Sequence, residues 1–254
     1  MSVSAVVVSH GHAVELRTLL AALAPQVDEL VVVANVPGSL PADLPENARA
    51  IVNDRPAGFA ANVNRGAAAT SSQYVLVANP DAVPQPGAVG ELVRFAEEHP
   101  RAGVVGPQMR NPDGSWQPSR RRFPTVFGTL VRRTPLRYLF RPFERQRAHY
   151  LLDERPSEPA PSDWMLGGFL LLRRRMLDEL GGLDAGFRLY GEDIDLCYRA
   201  MKAGWERWYV PAAIVTHTYD RLVDRRFLTR RTLWHWAGIL RFVRKHPERL
   251  RSLG

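Results

Sequence analysis

Through the first hundred or so residues, short apolar runs alternate with longer segments whose apolar positions recur every three or four residues. Ser4 to Val8, Glu29 to Ala34, Ala50 to Val52 and Tyr74 to Ala78 have strand length and are rich in Val and Ala. Between and after them, Ala13 to Leu23, Phe59 to Ala69 and Gly87 to His99 carry the helical period. Strands of this kind separated by helices predict parallel βαβ units. Open sheets of that type bind ligands beyond the carboxyl ends of their strands. Those ends are Ser9-His10-Gly11, Asn35, Asn53-Asp54 and Asn79-Pro80-Asp81, and each is polar.

The second half is less regular. Trp164 to Arg174 reads as a glycine-flanked strand containing Gly167-Gly168, and Arg174 to Leu180 as a short helix. Gly181-Gly182-Leu183-Asp184 then leads through Phe187 to a cluster of acids. Leu196 to Ala203 has helical character, with Gly204 as its stop. Arg207 to Val210 and Ala213 to Thr216 look like two strands, the second delivering His217.

With 254 residues and 45% hydrophobic composition, the chain can bury one large core with an appendage. Cys197 is the single cysteine, which excludes an internal disulfide framework and fits a reducing cytoplasm. No charged start precedes an apolar leader segment, and no apolar run reaches the roughly 18 residues of a membrane span. A soluble or surface-attached protein is expected.

The formal charge of +8 is unevenly spread. Residues 110–147 carry ten Arg against Asp113 and Glu144, and residues 221–251 carry ten Arg or Lys against Asp224 and Glu248. Each segment therefore has a surplus of eight positive charges, and the rest of the chain sums to −8. Both basic segments are interleaved with Phe, Tyr, Trp and Leu. That pattern suits an anionic membrane surface, a solvated face with an apolar stripe packed on the core, or, less readily, nucleic acid.

Several residues carry candidate chemistry. In Asn53-Asp54-Arg55-Pro56-Ala57-Gly58-Phe59, Gly58 permits close backbone approach, and the helix that follows offers free N–H groups to an anion such as a diphosphate. Asn62 and Asn64 are poor helix formers inside an Ala-rich helix and need a reason to be there. Asp81 projects from a strand stopped by Pro80, and a hard cation bridging two phosphates wants one or two such carboxylates. His217 at a strand end becomes a candidate ligand beside it. Finally, Glu192, Asp193 and Asp195 lie within four residues. Acids this crowded must be solvated, paired with cations, or used for proton transfer or metal binding.

Taken in order, the Asn53 to Asp81 elements, Gly167-Gly168, Gly181-Gly182-Leu183-Asp184, Glu192-Asp193-Ile194-Asp195-Leu196 and His217 resemble family 2 glycosyltransferases, with a rhamnosyltransferase-like look over Val3 to Tyr219. The resemblance implies a GT-A fold: an α/β, Rossmann-like, mostly parallel sheet with helices on both faces. It would form one domain over 1–219, with a nucleotide-sugar half at 1–105 and an acceptor half at 106–219 that holds the Arg-rich insertion. A basic helical segment would follow at 220–254.

The same resemblance implies inverting transfer from a nucleotide diphosphate sugar, assisted by Mg²⁺ or Mn²⁺, to an acceptor hydroxyl. Asp193 matches the general base, with Glu192 in reserve, and Asp81 and His217 match the metal ligands. Donor contacts are implied for Ser9, Asn35, Asn53, Asp54, Arg55, Gly58, Phe59, Asn62, Asn64, Asn79 and Asp81. Acceptor contacts are implied for Trp164, Gly167, Gly168 and Asp195, while Glu192 and Asp195 could instead raise the pKa of Asp193 by like-charge repulsion or orient it. Many relatives carry an acid where this chain has Asn35, and some have a first Asp where it has Asn79. These differences make a thymidine diphosphate sugar, rhamnose first, the expected donor. A polyprenyl-diphosphate-linked acceptor would give the basic segments a purpose at the membrane.

Two other classes compete. A nucleotidyltransferase would carry a glycine-rich, Lys- or Arg-bearing loop after the first strand, where this chain has Ser9-His10-Gly11-His12. A non-catalytic binding protein of the same fold would not need Asp81, Asp193 and His217 together.

Overall fold

The computed structural model describes residues 1–124, 150–218 and 230–251. Most of the Arg-rich insertion and the start of the C-terminal basic segment lie outside the described residues.

The predicted alternation is present in the first half. β1 (Val3–Ser9) is followed by α1 (Ala13–Leu23), β2 (Glu29–Ala34), β3 (Ala48–Val52), α2 (Phe59–Ala68), β4 (Tyr74–Ala78), β5 (Ala82–Pro84) and α3 (Ala88–Glu98). The strands β3, β2, β1 and β4 are neighbours in that order and all parallel. β1 is buried along its whole length, and its period of two divides it between two cores. Val3, Ala5 and Val7 pack with Leu16, Leu20, Leu92 and Phe95 on one face. Val6 and Val8 pack on the other, with Val63 of α2 and Leu196. Each such Val, Leu or Phe side chain contributes about 1.5–3 kcal/mol on burial, and a sheet covered on both faces calls for the near-continuous apolar run seen in the sequence.

The second half departs from simple βαβ winding. It contains β6 (Ala102–Arg110), β7 (Trp116–Gln117), β8 (Arg120–Arg121), β9 (Ala160–Pro161), β10 (Trp164–Met165), β11 (Phe169–Arg173), α4 (Arg174–Glu179), α5 (Glu192–Lys202) and β12 (Glu206–His217). β11 inserts antiparallel between β4 and β6, and the sheet continues β6, β12, β5. The segment expected as one strand from Trp164 is two strands, because Gly167-Gly168 forms a turn between β10 and β11. Conversely, the two strands expected around Pro211 are one, β12, whose register against β6 shifts between Val210 and Ile214. The irregularity absorbs Pro211, which has no N–H to donate.

Helix α5 starts at Glu192, four residues earlier than its apolar period suggests, so the acids form its first turn. An acid-rich first turn complements the helix dipole. The described C-terminal residues form α6 (Arg230–Lys245) and a short α7 (Glu248–Arg251). Among the described residues no helix is long and apolar enough to cross a membrane.

Candidate active site

The polar strand ends gather at one edge of the sheet. Ser9 Oγ donates to Ser39 O at 2.7 Å, closing the loop after β2 against β1. Asn35 grips the next loop: its Oδ1 accepts from Ala57 N at 2.8 Å and its Nδ2 donates to Ala57 O at 3.1 Å. Asn53 Nδ2 donates to both Asn35 Oδ1, at 2.9 Å, and Asn62 Oδ1, at 2.6 Å. Arg65 Nη1 donates to Asn53 Oδ1 at 2.5 Å. Buried amides are costly unless satisfied, and these satisfy one another. Asn53 and Asn62 therefore shape the Ala57 loop, which accounts for an Asn inside an Ala-rich helix. Asp54 and Arg55 are exposed and, with Asn53, Asn62 and Arg65, line a cleft of about 400 Å³.

Gly58 caps α2 in an extended conformation. A Cβ there would lie 3.2 Å from the carbonyls of Phe187 and Arg188, and the Phe59 N–H donates to Arg188 O at 3.2 Å. The helix N-terminus expected to face an anion thus has its first N–H engaged by the loop that precedes α5.

Asn64 was expected on the donor side, but its side chain is engaged elsewhere. Its Oδ1 accepts from Leu183 N at 2.8 Å and its Nδ2 donates to Leu183 O at 2.7 Å. It holds the Gly181-Gly182 turn, where Gly182 has φ of 79°. Asn64 joins α2 to the loop before α5.

At the end of β4, Asn79 N donates to Gly168 O at 2.8 Å, and Asp81 faces His217, with Oδ1 3.5 Å from Nε2. His217 is buried and Asp81 partly exposed. Gln117 Oε1 sits 3.0 Å from His217 Nδ1, while Gln117 Nε2 donates to Asn111 Oδ1 at 3.2 Å. That second bond orients the amide and makes Oε1 the acceptor for the ring, so a neutral His217 carries its proton on Nδ1 and turns the Nε2 lone pair toward Asp81. A carboxylate and an oriented imidazole form a set that fits a divalent ion sharing its remaining positions with phosphate or water. The described residues contain no cluster of three or more such ligands, so a complete protein cage is absent among them.

The acids of α5 divide by environment. Tyr190 and Gly191 enter the helix with φ of 69° and 95°. Asp193 is half-buried; its Oδ2 accepts from Gly167 N at 3.2 Å and its Oδ1 from Ile194 N at 2.8 Å. Burial raises its pKa, partly opposed by those N–H groups. Glu192 is buried, and its Oε2 has no hydrogen-bond partner among the described residues. Burial, and then the charge of Asp193, push it up to about 8. At neutral pH Glu192 favours its protonated form beside Asp193.

Asp195, implied for the acceptor side, is engaged within the chain. It is wholly buried, and its oxygens bind Arg199 Nε at 2.7 Å, Lys245 Nζ at 2.9 Å and His246 Nε2 at 2.9 Å. Sequence reading missed these partners. The spacing of Asp195 and Arg199 on a helix offered a signal for one of them, but nothing local pointed to Lys245 or His246. Asp184 is a second anchor: burial raises its pKa, but hydrogen bonds from Arg241 and Lys245 hold it well below the usual carboxylate range. Trp164 is half-buried, donates from Nε1 to Arg122 O at 2.8 Å and lies under the Arg121 guanidinium at 5.9 Å.

The diglycine turn joins the two groups. A Cβ on Gly167 would lie 3.2 Å from Asp193 Cβ, and one on Gly168 would lie 3.2 Å from His217 Nε2 and 3.4 Å from Asn79 Nδ2. Asp193 and the Asp81–His217 pair thus flank consecutive residues.

Solved structures share the fold. One of GalNAc-T7 with UDP, GalNAc and Mn²⁺ has a TM-score of 0.66 at 18% identity, covering 96% of this chain and 48% of that one. One of Mycobacterium tuberculosis glucosyl-3-phosphoglycerate synthase, solved with Mn²⁺, UDP and glucosyl-3-phosphoglycerate, has a TM-score of 0.57 at 19% identity, covering 95% and 79%. Residues 3–237 match the family described as glycosyltransferase like family 2, and the chain belongs to that family.

Among curated relatives, the N-acetylglucosaminyl-diphospho-decaprenol L-rhamnosyltransferase of M. tuberculosis is 40% identical over 152 residues, 57% of this chain and 46% of that protein. Rhamnosyltransferase WbbL of Escherichia coli K12 is 37% identical over 81 residues, 32% of this chain and 30% of that protein. The chain spans less than half the length of either.

Proposed function

We propose that the protein is an inverting glycosyltransferase that moves rhamnose from dTDP-rhamnose to a hydroxyl of a polyprenyl-diphosphate-linked acceptor. The observation that carries this reading is the Gly167-Gly168 turn, where Asp193 lies against the first glycine and His217, the partner of Asp81, against the second. The donor occupies the 1–105 half, its nucleotide against the loop gripped by Asn35 and its diphosphate toward Asp81. Asp81 and His217 would hold Mg²⁺ or Mn²⁺, which would supply charge neutralisation for the departing nucleoside diphosphate. In the 106–219 half, Asp193 takes the proton of the acceptor hydroxyl as that oxygen bonds to the anomeric carbon and the bond to the diphosphate breaks. Glu192, held protonated by burial, leaves Asp193 as the anionic member of the pair. The rhamnosyltransferase relatives support the choice of sugar, and the decaprenol-linked substrate in the name of one supports the acceptor class.

The test incubates the protein with a panel of nucleotide sugars and the lipid-linked acceptor and follows metal-dependent release of nucleoside diphosphate. dTDP-rhamnose is expected to turn over fastest. Asp193→Asn should abolish transfer while leaving donor binding nearly intact, and Asp81→Ala should lose metal-dependent donor binding. Full activity in Asp193→Asn rejects the base assignment.

The same reading extends to location at the inner face of the cell membrane. On α6, Leu233 and Leu240 are 67% and 50% exposed, with exposed Ala237 between them and Arg241 and Arg244 beside them. An apolar stripe edged by cations fits an anionic bilayer surface. Flotation with anionic vesicles at low salt checks it, and absence of binding there removes the membrane from the proposal.

A further inference from the structure

The C-terminal helix reaches back across the segment that carries the acid pair. Lys245 Nζ lies 2.8 Å from Asp184 Oδ2 and 2.9 Å from Asp195 Oδ1. Those two carboxylates bracket the stretch in which Tyr190 and Gly191 turn the chain through positive φ and Glu192 and Asp193 begin α5. One ammonium therefore ties both ends of this stretch. Further contacts hold it from the same side. Arg241 Nη2 binds Asp184 Oδ1 at 2.7 Å, His246 Nε2 binds Asp195 Oδ1 at 2.9 Å, and Gly238 lacks a side chain where α6 meets the Tyr190 carbonyl.

Helical geometry converts this anchorage into an orientation. Residues two apart on an α-helix point about 200° apart around its axis. Asp195 therefore faces Lys245 and His246 while Asp193 faces Gly167, as the hydrogen bonds of each record. Rotating or sliding α5 to move Asp193 would strip a wholly buried carboxylate of its cations, which is strongly unfavourable. Arg199, on the same helix as Asp195, holds α5 from another side, donating to the Leu180 and Gly182 carbonyls at 2.9 Å each, so Lys245 and His246 supply the tie to α6.

We infer that Lys245, seconded by His246, is a positioning element of the active site, a staple that fixes the rotational setting of α5 and so the place of Asp193 at the diglycine turn. Its kinetic consequence rests on the transfer reaction proposed above; its structural consequence does not.

Lys245 is about a third exposed, so its replacement leaves the core intact. Lys245→Met removes the staple, Lys245→Arg keeps a cation of similar reach, and His246→Gln keeps a donor to Asp195. In Lys245→Met, kcat is expected to fall about 10-fold or more, because displacements near 1 Å at a reacting group have effects of that size. Affinity for dTDP-rhamnose should stay within about twofold of wild type. Lys245→Arg and His246→Gln should retain most of kcat. Hydrogen exchange of the full chain should quicken in Lys245→Met at residues 184–196 and at Gly167, and stay at wild-type rates elsewhere.

Wild-type kcat in Lys245→Met, failure of Lys245→Arg to restore it, or donor binding and kcat falling together with faster exchange throughout the sheet would each overturn the inference. If the wild-type protein transfers sugar from no donor, the transfer reading falls and the exchange pattern alone decides the staple: localised quickening upholds it, and an unchanged or uniform pattern overturns it.

Discussion

Gln117 and His217 are 100 positions apart in sequence, yet Oε1 of one meets Nδ1 of the other at 3.0 Å. This contact turns the opposite ring nitrogen toward Asp81. Gln117 is itself held by Asn111, whose Nδ2 donates to Ser115 Oγ at 2.8 Å, so the hairpin leading into β7 ends by orienting a candidate metal ligand.

Gln117→Leu removes the acceptor that fixes the His217 ring while keeping similar bulk. Metal affinity should fall about 10- to 100-fold, the range for lost partners of a ligating histidine. Titrating Mn²⁺ against the protein in the presence of dTDP reads this directly. Removing metal with a chelator should weaken nucleotide binding in wild type and change little in Asp81→Ala.

Glu192 gives a signature in stability. The unfolded chain releases this proton near 4.5, and the folded chain keeps it up to about 8. Between those values the folded state binds more protons, so stability falls as pH rises, by at most about 1.4 kcal/mol per pH unit, and levels off above 8. Glu192→Gln should abolish this slope and be the more stable protein at pH 8. Urea unfolding across the pH series would show the difference, and parallel profiles for the two proteins would contradict it.

Asp195 and Asp193 should separate by the kind of damage their replacement causes. Asp195→Ala leaves the Arg199 and Lys245 cations and the His246 ring facing an empty site, and breaking a buried pair in this way costs about 3–5 kcal/mol. Partial exposure of Arg199 and Lys245 puts the expected loss at the lower end. Asp193→Asn should leave the unfolding midpoint nearly unchanged. Denaturation of the two variants side by side tests the division.

Gly66 lies where α2 crosses the sheet, and a Cβ there would collide with Val6. Gly66→Ala should therefore destabilise the fold by about 1–3 kcal/mol despite the helical advantage of Ala. Trimming the neighbour in Gly66→Ala/Val6→Ala should give less than the sum of the single losses. Additive losses would place the strain elsewhere.

The parallel half of the sheet was legible because burial on both faces demands long Val-rich runs, and β1, β2 and β4 have them. Asp81, His217 and Asp193 stood out in the sequence because each departs from its surroundings, and the structure gathers them around the Gly167-Gly168 turn. The partners of Asn64 and Asp195 were hidden for a shared reason. A polar residue in an apolar context signals that something must satisfy it, but its own neighbours do not say whether that partner is a ligand or another part of the chain. For Asn64 the partner is the Leu183 backbone, and for Asp195 it is the end of α6; both contacts span more than forty positions. The antiparallel insertion of β11 was hidden similarly, because strand direction depends on the route of the connection and leaves no mark on the strand's own residues.

The diglycine turn has one more consequence. Consecutive Cα atoms are about 3.8 Å apart whatever the side chains do. Gly167 abuts Asp193 and Gly168 abuts His217, so one planar peptide unit lies between the places where α5 and the end of β12 meet the turn. A side chain at either position would push one of these elements away from the turn, so the close approach of α5 and β12 depends on two adjacent residues having none.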